Sequence, residues 1–575
     1  MVERFANAAG EMPARGESVG VPAQQLTAGE TRRVRLARWA WPAALAVAAV
    51  VLFLCYLRVS RTVPNGSDGA DQALQAWDML HGNWLLRGWT VGDVSYYTTE
   101  LPEYIVVELI RGLGPDVIHV AAAVTYTLLV LLAGLLAKGR ATGREGVVRA
   151  LIASGILLAP QLGHGVALLI QQPDHLGTQV PLLVTFIVLD RAPRRWYTLV
   201  AITGMLTWVI IADRVAVFDA ALPLAAVCGI RAYWAVVHDR KPLASVWFEF
   251  SLMAASVVSF GAAALVVSAI NHLGGYTSLP LPPTRFAPAG VIPAHLALTI
   301  EGILTLYGAY FAGLSPGVAT AIAVVHLAGL ALALWGVCRA FRRFFSASDL
   351  IVPVLATGIM INLAAYTSSI VPTTWFDNRE IPAVLPFGAV LAGRLLAEPL
   401  ARARLVPVLA GVLACYAAAL GYGAAQPSVA DGEYPVVGWL EAHHLRTGLG
   451  TYIESNLITL DSGERVAVRT VTWLPSGAVP RAYESEASWY DPRLNYANFV
   501  VVNLVDGGGI SAIPRRDILA LAGPPARTYH YKTFIIMVWN HNLLADLGTP
   551  PSPLPGNLRH ATPAPSHPAG LRQPH

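Results

Sequence analysis

The chain has 575 residues, of which 55% are hydrophobic and only 13% charged, with a mean hydropathy of +0.51 and a formal net charge of +4. Soluble globular proteins carry roughly 25% charged residues, so this composition excludes an ordinary soluble enzyme. Long apolar runs without a short repeat exclude collagen and global disorder. The four cysteines lie within or beside these runs and have no disulfide or metal-ligand spacing. A polytopic membrane protein is the class that remains.

The N-terminal segment 1–38 is rich in Gly, Ala, Glu and Pro, which predicts a disordered cytoplasmic tail. The first apolar run, 39–57, lies far from the N-terminus and lacks a small-residue cleavage site, so we expect a retained membrane helix. Ten further runs approach the roughly 20 apolar residues that a span requires. They are 116–137, 148–170, 176–189, 196–212, 215–237, 243–271, 316–338, 350–370, 380–397 and 404–425.

Basic residues mark every second junction between these runs. The intervening junctions, such as 171–175 and 371–378, contain almost no Lys or Arg. Because positive residues stay on the cytoplasmic side, this pattern predicts about eleven spans, with the N-terminus in the cytoplasm and the region after the last span outside. The basic junctions are 138–149, 191–195, 231–241, 339–343 and 394–404.

The predicted fold is therefore an α-helical polytopic membrane protein of the cell membrane. Its transmembrane domain covers 39–425 and carries two large outer loops, 58–115 and 272–315. The apolar stretch 295–311 in the second loop would invert the later charge pattern if it were a span. We therefore expect an interfacial or re-entrant helix there.

The region 426–549 has the periodicity of a small extracytoplasmic α/β domain. The final segment, 550–575, is rich in Pro and His, which predicts a disordered tail. The elements expected in the domain are a helix at 434–445, strands at 457–460 and 465–471 around a hairpin, strands at 499–504 and 529–539, and a helix at 515–521.

An acidic stripe opens the first outer loop. On a 3.6-residue period, Asp68 and Asp71 share a helix face with Gln75 and Asp78, opposite an apolar face. We expect this helix to lie on the membrane surface with its acids turned away from lipid, where a carboxylate can deprotonate a hydroxyl or hold a divalent cation. The alternative is that Ser67 or Asp68 only caps the helix, because acids favour the first turn.

Two further acidic positions belong to the same outer surface. Asp174 and His175 lie in a tight turn, and Asp213 and Arg214 lie at the outer end of another span. Ionisable groups at that depth are costly and mark a site or pair with each other. The alternatives are a solvated turn for Asp174 and His175, and a mutual ion pair for Asp213 and Arg214.

Arginine is sparse on the outer side, which makes two positions informative. Arg379 begins a late outer helix, where its fork of donors suits an anionic lipid phosphate. Arg285, in a Pro-rich segment, is a weaker candidate for the same role. Pairing of Arg379 with Asp377 or Glu380 is the alternative.

The order of these parts resembles the GT-C superfamily of membrane glycosyltransferases, in particular bacterial relatives of the protein O-mannosyltransferase and aminoarabinose-transferase branch. A first span is followed by a large outer loop with Asp68, Asp71 and the Gly82-Asn83-Trp84 turn. Short acidic outer turns, a late outer Arg before Pro382, and an outer α/β domain follow. The likeness covers most of the chain.

The resemblance implies an inverting transfer of a sugar from a polyprenyl-phosphate donor to an acceptor on the outer face. It assigns Asp68 the role of orienting or deprotonating the acceptor, assisted by Asp71 or Asp174, with His175 and Asp213 near the substrates. Arg379, with Arg285, faces the lipid phosphate. A divalent cation, Mg or Mn, held by Asp68 and Asp174 is also implied. Two residues separate Asp68 from Asp71 here, whereas the acidic pair is adjacent in the best-known members.

The expected partners are the membrane and a lipid-linked sugar donor, without nucleic acid and with the acceptor unassigned. Two other classes remain open at this point. A polytopic transporter would show internal repeats and polar sites near the bilayer midplane, which the sequence does not display. The other class is a non-catalytic envelope protein that binds glycan, and only the acidic positions distinguish it from a glycosyltransferase.

Overall fold

The computed structural model describes residues 28–278, 285–345, 349–429, 435–474, 477–504 and 515–549. The chain divides into two units between Val50 and Val51, and the candidate site lies in the second. The tails predicted to be disordered lie outside the described residues, except that residues 28–38 belong to a helix that begins at Ala28.

Apolar runs form most of the helices. Within the described residues the α-helices are α1 (Ala28–Ser60), α2 (Ser67–Leu80), α3 (Glu100–Arg111), α4 (Asp116–Lys138), α5 (Gly143–Ile156), α6 (His164–Leu169), α7 (Asp174–Arg191), α8 (Trp196–Ala212), α9 (Leu222–Val237), α10 (Trp247–His272), α11 (Ile292–Leu306), α12 (Val318–Arg342), α13 (Ile351–Ser368), α14 (Val384–Arg402), α15 (Val406–Ala424), α16 (Val437–Ala442), α17 (Tyr452–Asp461) and α18 (Arg515–Ala522).

Nine helical segments in the described part of the chain are long and apolar enough to cross a membrane, and eight of them coincide with predicted runs. The other three predicted runs form α5 with α6, which are separate helices, α7, which has charged residues at both ends, and α8, which has 17 residues. The ninth segment, Ala289–Leu306, includes α11. It lies where we expected an interfacial or re-entrant helix, and its length and composition would also suffice for a span. The count of eleven is therefore approximate, and the protein is a multi-pass membrane protein.

Close helix packing holds the membrane region together. The large buried cluster draws most heavily on α4, α7, α13 and α14, with Leu136, Phe186 and Phe387 among its fully buried side chains. Gly336 of α12 lies so close to α14 that an added Cβ would be 2.8 Å from the backbone nitrogen of Ala392. Small residues at such contacts let helix backbones approach each other.

A six-stranded mixed sheet forms the core of the C-terminal region. Its strand order is β5-β4-β3-β7-β9-β8, with β3 parallel to β4 and β7 and the other pairs antiparallel. α17 packs against β4, and α18 packs against β5. The strands are β3 (Thr447–Gly450), β4 (Ala467–Leu474), β5 (Gly477–Pro480), β7 (Phe499–Asn503), β8 (Arg527–Tyr531) and β9 (Phe534–Val538).

The predicted α/β character of this region is confirmed, with two corrections. Residues 457–460 lie in α17 and not in a strand, because their apolar side chains cover two faces of a helix: Ile458 packs on the sheet, and Leu457 and Leu460 pack in the cluster that includes α2. The predicted strand 529–539 is a hairpin of β8 and β9 that turns at Lys532, which has a φ of 50°.

A second, small sheet joins three distant parts of the chain. β1 (Trp89–Val91) of the first outer loop pairs in parallel with β2 (Thr277–Ser278) and antiparallel with β6 (Ser485–Glu486) of the C-terminal region. The first outer loop is thereby fixed to the C-terminal region. This connection positions the site described next.

Candidate active site

Four elements bring their ends together at one place. Asp68 is the second residue of α2, Asp174 is the first residue of α7, and Asp213 caps the C-terminal end of α8. Arg379 lies in a short 3-10 helix, Trp375–Glu380, between α13 and α14. Thr374 and Asp377 form a reciprocal capping box at the start of that 3-10 helix, so its own acid is used locally.

Arg379 bridges two carboxylates that are far apart in sequence. Its Nη1 donates to Asp68 Oδ2 at 2.9 Å and to Asp174 Oδ2 at 3.3 Å. Its guanidinium also lies 4.8 Å from the centre of the Phe376 ring. Both bonds are donated by Nη1, so the Nη2 and Nε atoms of the guanidinium take no part in them. Arg379 therefore pairs with Asp68 and Asp174 instead of Asp377.

His175 lies between two further carboxylates. Its Nδ1 is 2.9 Å from Asp213 Oδ2 and its Nε2 is 3.1 Å from Glu380 Oε1. Burial alone would lower the pKa of His175, but Glu380 and Asp213 outweigh it and raise this pKa well above its usual value. The side chain is therefore an imidazolium ion. Asp213 pairs with His175, and not with Arg214 as the alternative reading of that turn proposed.

Asp174 remains ionised for a related reason. Burial would raise its pKa, yet Arg379 and His175 together lower it below the usual range. The hydroxyl of Tyr96 donates to the other oxygen of Asp174. Carboxylates and cations therefore alternate across the site, from Asp68 through Arg379 and Asp174 to His175 and its two acidic partners.

Backbone strain accumulates around these contacts. Tyr96, Asp174 and Glu484 have φ values of 51°, 44° and 51°, which few residues other than glycine adopt. Each such conformation costs on the order of 1–3 kcal/mol and is found preferentially where function requires it.

The helix that carries Asp68 and Asp71 differs from the prediction. We expected α2 to lie on the membrane surface, but both of its faces are buried, because α3 packs on it from one side and α17 from another. Its N-cap is Gly66 and no side chain caps it. Asp71 is only 3% exposed and accepts a hydrogen bond from Gln75, so it points into protein. Burial, then Glu484, raises the pKa of Asp71 well above its usual value.

The C-terminal region supplies side chains that sequence reasoning did not identify. The hydroxyl of Tyr452, the first residue of α17, donates to Asp68 Oδ1 at 3.0 Å. Glu484 pairs with Arg481 at 2.9 Å, and burial raises the pKa of Glu484 to about 7. These residues follow Asp68 by almost 400 positions, and no local pattern marks them.

Two other residues of the site were overlooked for different reasons. Glu380 was considered only as a partner of Arg379, whereas it contacts His175. Asp93 lies shortly after β1, and its side chain is exposed to solvent. The surrounding protein, followed by Glu380, raises its pKa. An isolated acid in a loop gives no sequence signal.

Arg285 is not brought into this cluster. Its carbonyl accepts a hydrogen bond from the backbone of Ile370 at 3.3 Å, and in the part of the chain that the structure describes no ion pair joins its side chain to the acids. Among the same residues, no group of three or more His, Cys, Asp or Glu side chains could hold a metal ion.

Comparisons with known proteins give structural matches only. No protein-family model matches the chain, and no curated protein matches it. A solved structure of ArnT from Cupriavidus metallidurans bound to undecaprenyl phosphate is 12% identical, with a TM-score of 0.49, and the match covers 86% of this chain and 97% of that one.

Two structures of an Archaeoglobus fulgidus oligosaccharyltransferase are also similar. The complex with Zn and sulfate has a TM-score of 0.44 and 12% identity over 80% of this chain and 68% of that one. The AglB complex with an inhibitory peptide and a dolichol-phosphate has a TM-score of 0.44 and 11% identity over 81% and 70%. Because these TM-scores are all below 0.5, the evidence for a function comes from the residues of the site. The chain is thus similar to these solved structures at 11–12% sequence identity.

Proposed function

We propose that the protein transfers a sugar from a polyprenyl-phosphate donor to an acceptor hydroxyl at the outer face of the membrane. One observation carries the proposal: Arg379 lies within hydrogen-bond distance of both Asp68 and Asp174. A carboxylate that can accept a proton and a cation that can bind a phosphate are therefore adjacent. They lie at helix ends, where a lipid headgroup can reach them.

The reaction forms one bond and breaks one bond at the anomeric carbon. The acceptor oxygen attacks this carbon from the face opposite the phosphate, so the configuration inverts. The bond from the carbon to the phosphate oxygen breaks, and polyprenyl phosphate leaves with the bonding electrons. Asp68 accepts the hydroxyl proton, as general bases do when they lie within hydrogen-bond reach.

Arg379 stabilises the leaving phosphate in this scheme. Negative charge develops on the phosphate oxygens, and a positioned guanidinium is a strong bidentate partner for such groups. Its two present bonds use only Nη1, so the remaining donors can turn to the phosphate. Asp174, which His175 and Tyr96 hold in place, keeps Arg379 oriented.

A divalent cation was the other candidate for this role. Asp68 and Asp174 offer the oxygen ligands that Mg and Mn favour, but Arg379 lies between them and supplies positive charge there. The arrangement does not fit a metal site, and the proposed mechanism uses no metal ion. The C-terminal region belongs on the outer side in this proposal, because Tyr452 contacts Asp68.

The test uses the purified full-length protein in lipid nanodiscs. A panel of undecaprenyl-phosphate hexoses and pentoses, labelled in the sugar, is incubated with the protein and a membrane extract that contains acceptors. We expect label to leave the lipid fraction with the wild type. Asp68→Asn should lower the rate by about 100-fold or more, the usual contribution of a general base.

The matched control is Asp239→Asn. Asp239 pairs with His238 and Lys241 away from the site, so this variant should transfer sugar at the wild-type rate. Full activity of Asp68→Asn would remove the proposed base. Absence of transfer from every donor by the wild type would overturn the proposed function.

A further inference from the structure

The C-terminal region is attached to the first outer loop through several independent contacts. β6 pairs with β1, and the backbone nitrogen of Ala487 donates to Gly88 at 2.9 Å. The rings of Trp89 and Trp489 meet edge to face at 4.9 Å. The hydroxyl of Ser67, at the start of α2, donates to the carbonyl of Tyr452 at 2.8 Å. The relative position of α2 and α17 is therefore fixed next to Asp68.

A cationic clamp holds the Tyr452 ring. The guanidinium of Arg481 lies 3.9 Å from the centre of the Tyr452 ring and 4.1 Å from that of Tyr483. Glu484 pairs with the same guanidinium. A cation over an aromatic face is attractive, and more so when it is desolvated. Tyr452 is thus held at its backbone by Ser67 and at its ring by Arg481, so its hydroxyl has a defined direction.

Both oxygens of Asp68 receive a hydrogen bond. Tyr452 donates to Oδ1 at 3.0 Å, and Arg379 donates to Oδ2 at 2.9 Å. Because the two donors come from different elements, the 3-10 helix before α14 and the start of α17, the carboxylate plane cannot rotate without losing one of them. Each oxygen keeps one further lone pair for a ligand, since a carboxylate has about four acceptor positions.

We propose that Tyr452 is a positioning residue, which aims the Asp68 carboxylate at the acceptor hydroxyl. The inference rests on the proposed function and deepens it, because it assigns a residue of the outer domain to the transfer site. In the transfer step the acceptor proton moves to Asp68, while Tyr452 keeps its own proton and only donates a hydrogen bond.

The experiment replaces the Tyr452 hydroxyl and leaves its ring in place. Tyr452→Phe is assayed with an undecaprenyl-phosphate sugar that the wild type consumes, between about pH 5 and 9. We expect kcat to fall about tenfold or more, the effect of one hydrogen bond to a charged group, with the KM for the donor unchanged. The kcat of Tyr452→Phe should lie below that of the wild type throughout this pH profile, because Asp68 loses the donor that aims it.

Tyr531→Phe is the matched control. Tyr531 lies on β8, where its ring is 5.9 Å from that of Trp439, so deletion of its hydroxyl should change neither kcat nor the profile. In the Asp68→Asn background, Tyr452→Phe should cause no further loss of rate, because its target carboxylate is already absent.

Three results would overturn the proposal for Tyr452. The first is a wild-type kcat for Tyr452→Phe throughout the pH profile, and the second is an independent rate loss in the Asp68→Asn background. The third is failure of Tyr452→Phe to fold, seen as aggregation in size-exclusion chromatography, because a role confined to one hydrogen bond requires a folded variant. An active wild type with any of these results leaves the proposed function standing, whereas a wild type inactive with every donor removes both.

Discussion

His175 is the residue whose replacement should disturb the site most. It is 2% exposed, and it is the cation between Asp213 and Glu380. His175→Gln keeps a polar side chain of similar size but removes the charge. Asp213, which is also buried, would then lose its cation. Loss of one partner from a buried pair costs about 3–5 kcal/mol, and because Glu380 reaches solvent we expect about 3 kcal/mol.

The contacts of His175 with Asp213 and Glu380 should also make the free energy of unfolding depend on pH. The pKa of His175 is raised in the folded protein, whereas the unfolded value is about 6.5. Its contribution is therefore complete below about pH 6.5 and is lost as the pH rises through the folded-state pKa. The stability difference between the wild type and His175→Gln should be larger at about pH 6 than at about pH 10.

Unfolding by SDS in mixed micelles at both pH values measures this difference. The double variant His175→Gln with Asp213→Asn removes both charges of the buried pair. It should regain part of the lost free energy of unfolding, because the buried carboxylate that lacks a cation is removed as well. A loss below about 1 kcal/mol for His175→Gln, or a difference that is the same at both pH values, would refute the assignment of a buried imidazolium.

Three further predictions concern packing, a second ion cluster and metal removal. Gly336→Ala places a Cβ 2.8 Å from a backbone atom of α14 and should cost about 2 kcal/mol by overpacking, whereas Gly204→Ala, whose Cβ would meet open space, should be neutral in the same SDS titration. Arg394→Met leaves Asp190 and Asp349 without their shared cation and should lower the free energy of unfolding by about 2 kcal/mol or more. Because the mechanism requires no metal, sugar transfer should persist in EDTA, and a loss that Mn²⁺ or Mg²⁺ restores would contradict it.

Composition and charge periodicity were sufficient to predict the class of fold. Runs near the length of a bilayer and alternating basic junctions indicate membrane helices directly, since the bilayer imposes both signals. The burial of α2 could not be predicted, because its apolar face looks the same whether it meets lipid or another helix. α3 and α17 cover it, and no local pattern reveals their positions.

The candidate site likewise has one part that the sequence predicts and another that it does not. Asp68 is predicted by its acidic helix stripe, Asp174, His175 and Asp213 by the cost of ionisable groups at the edge of a span, and Arg379 by the scarcity of outer arginines. The structure brings these five together. Tyr452, Arg481 and Glu484 reach the site because the sheet of β1, β2 and β6, and the packing of α17 on α2, join distant segments. Pairing over such separations is a property of the tertiary fold, and it leaves no trace in residue spacing.

The central claim is that this chain moves a sugar from a lipid carrier to an acceptor on the outer face. Mass spectrometry of envelope glycans tests it most directly, in cells that lack the protein and in cells that carry it as wild type or as Asp68→Asn. We predict that one hexose or pentose substituent disappears without the protein, returns with the wild type and stays absent with Asp68→Asn. Identical envelope glycans in all three strains would contradict the account.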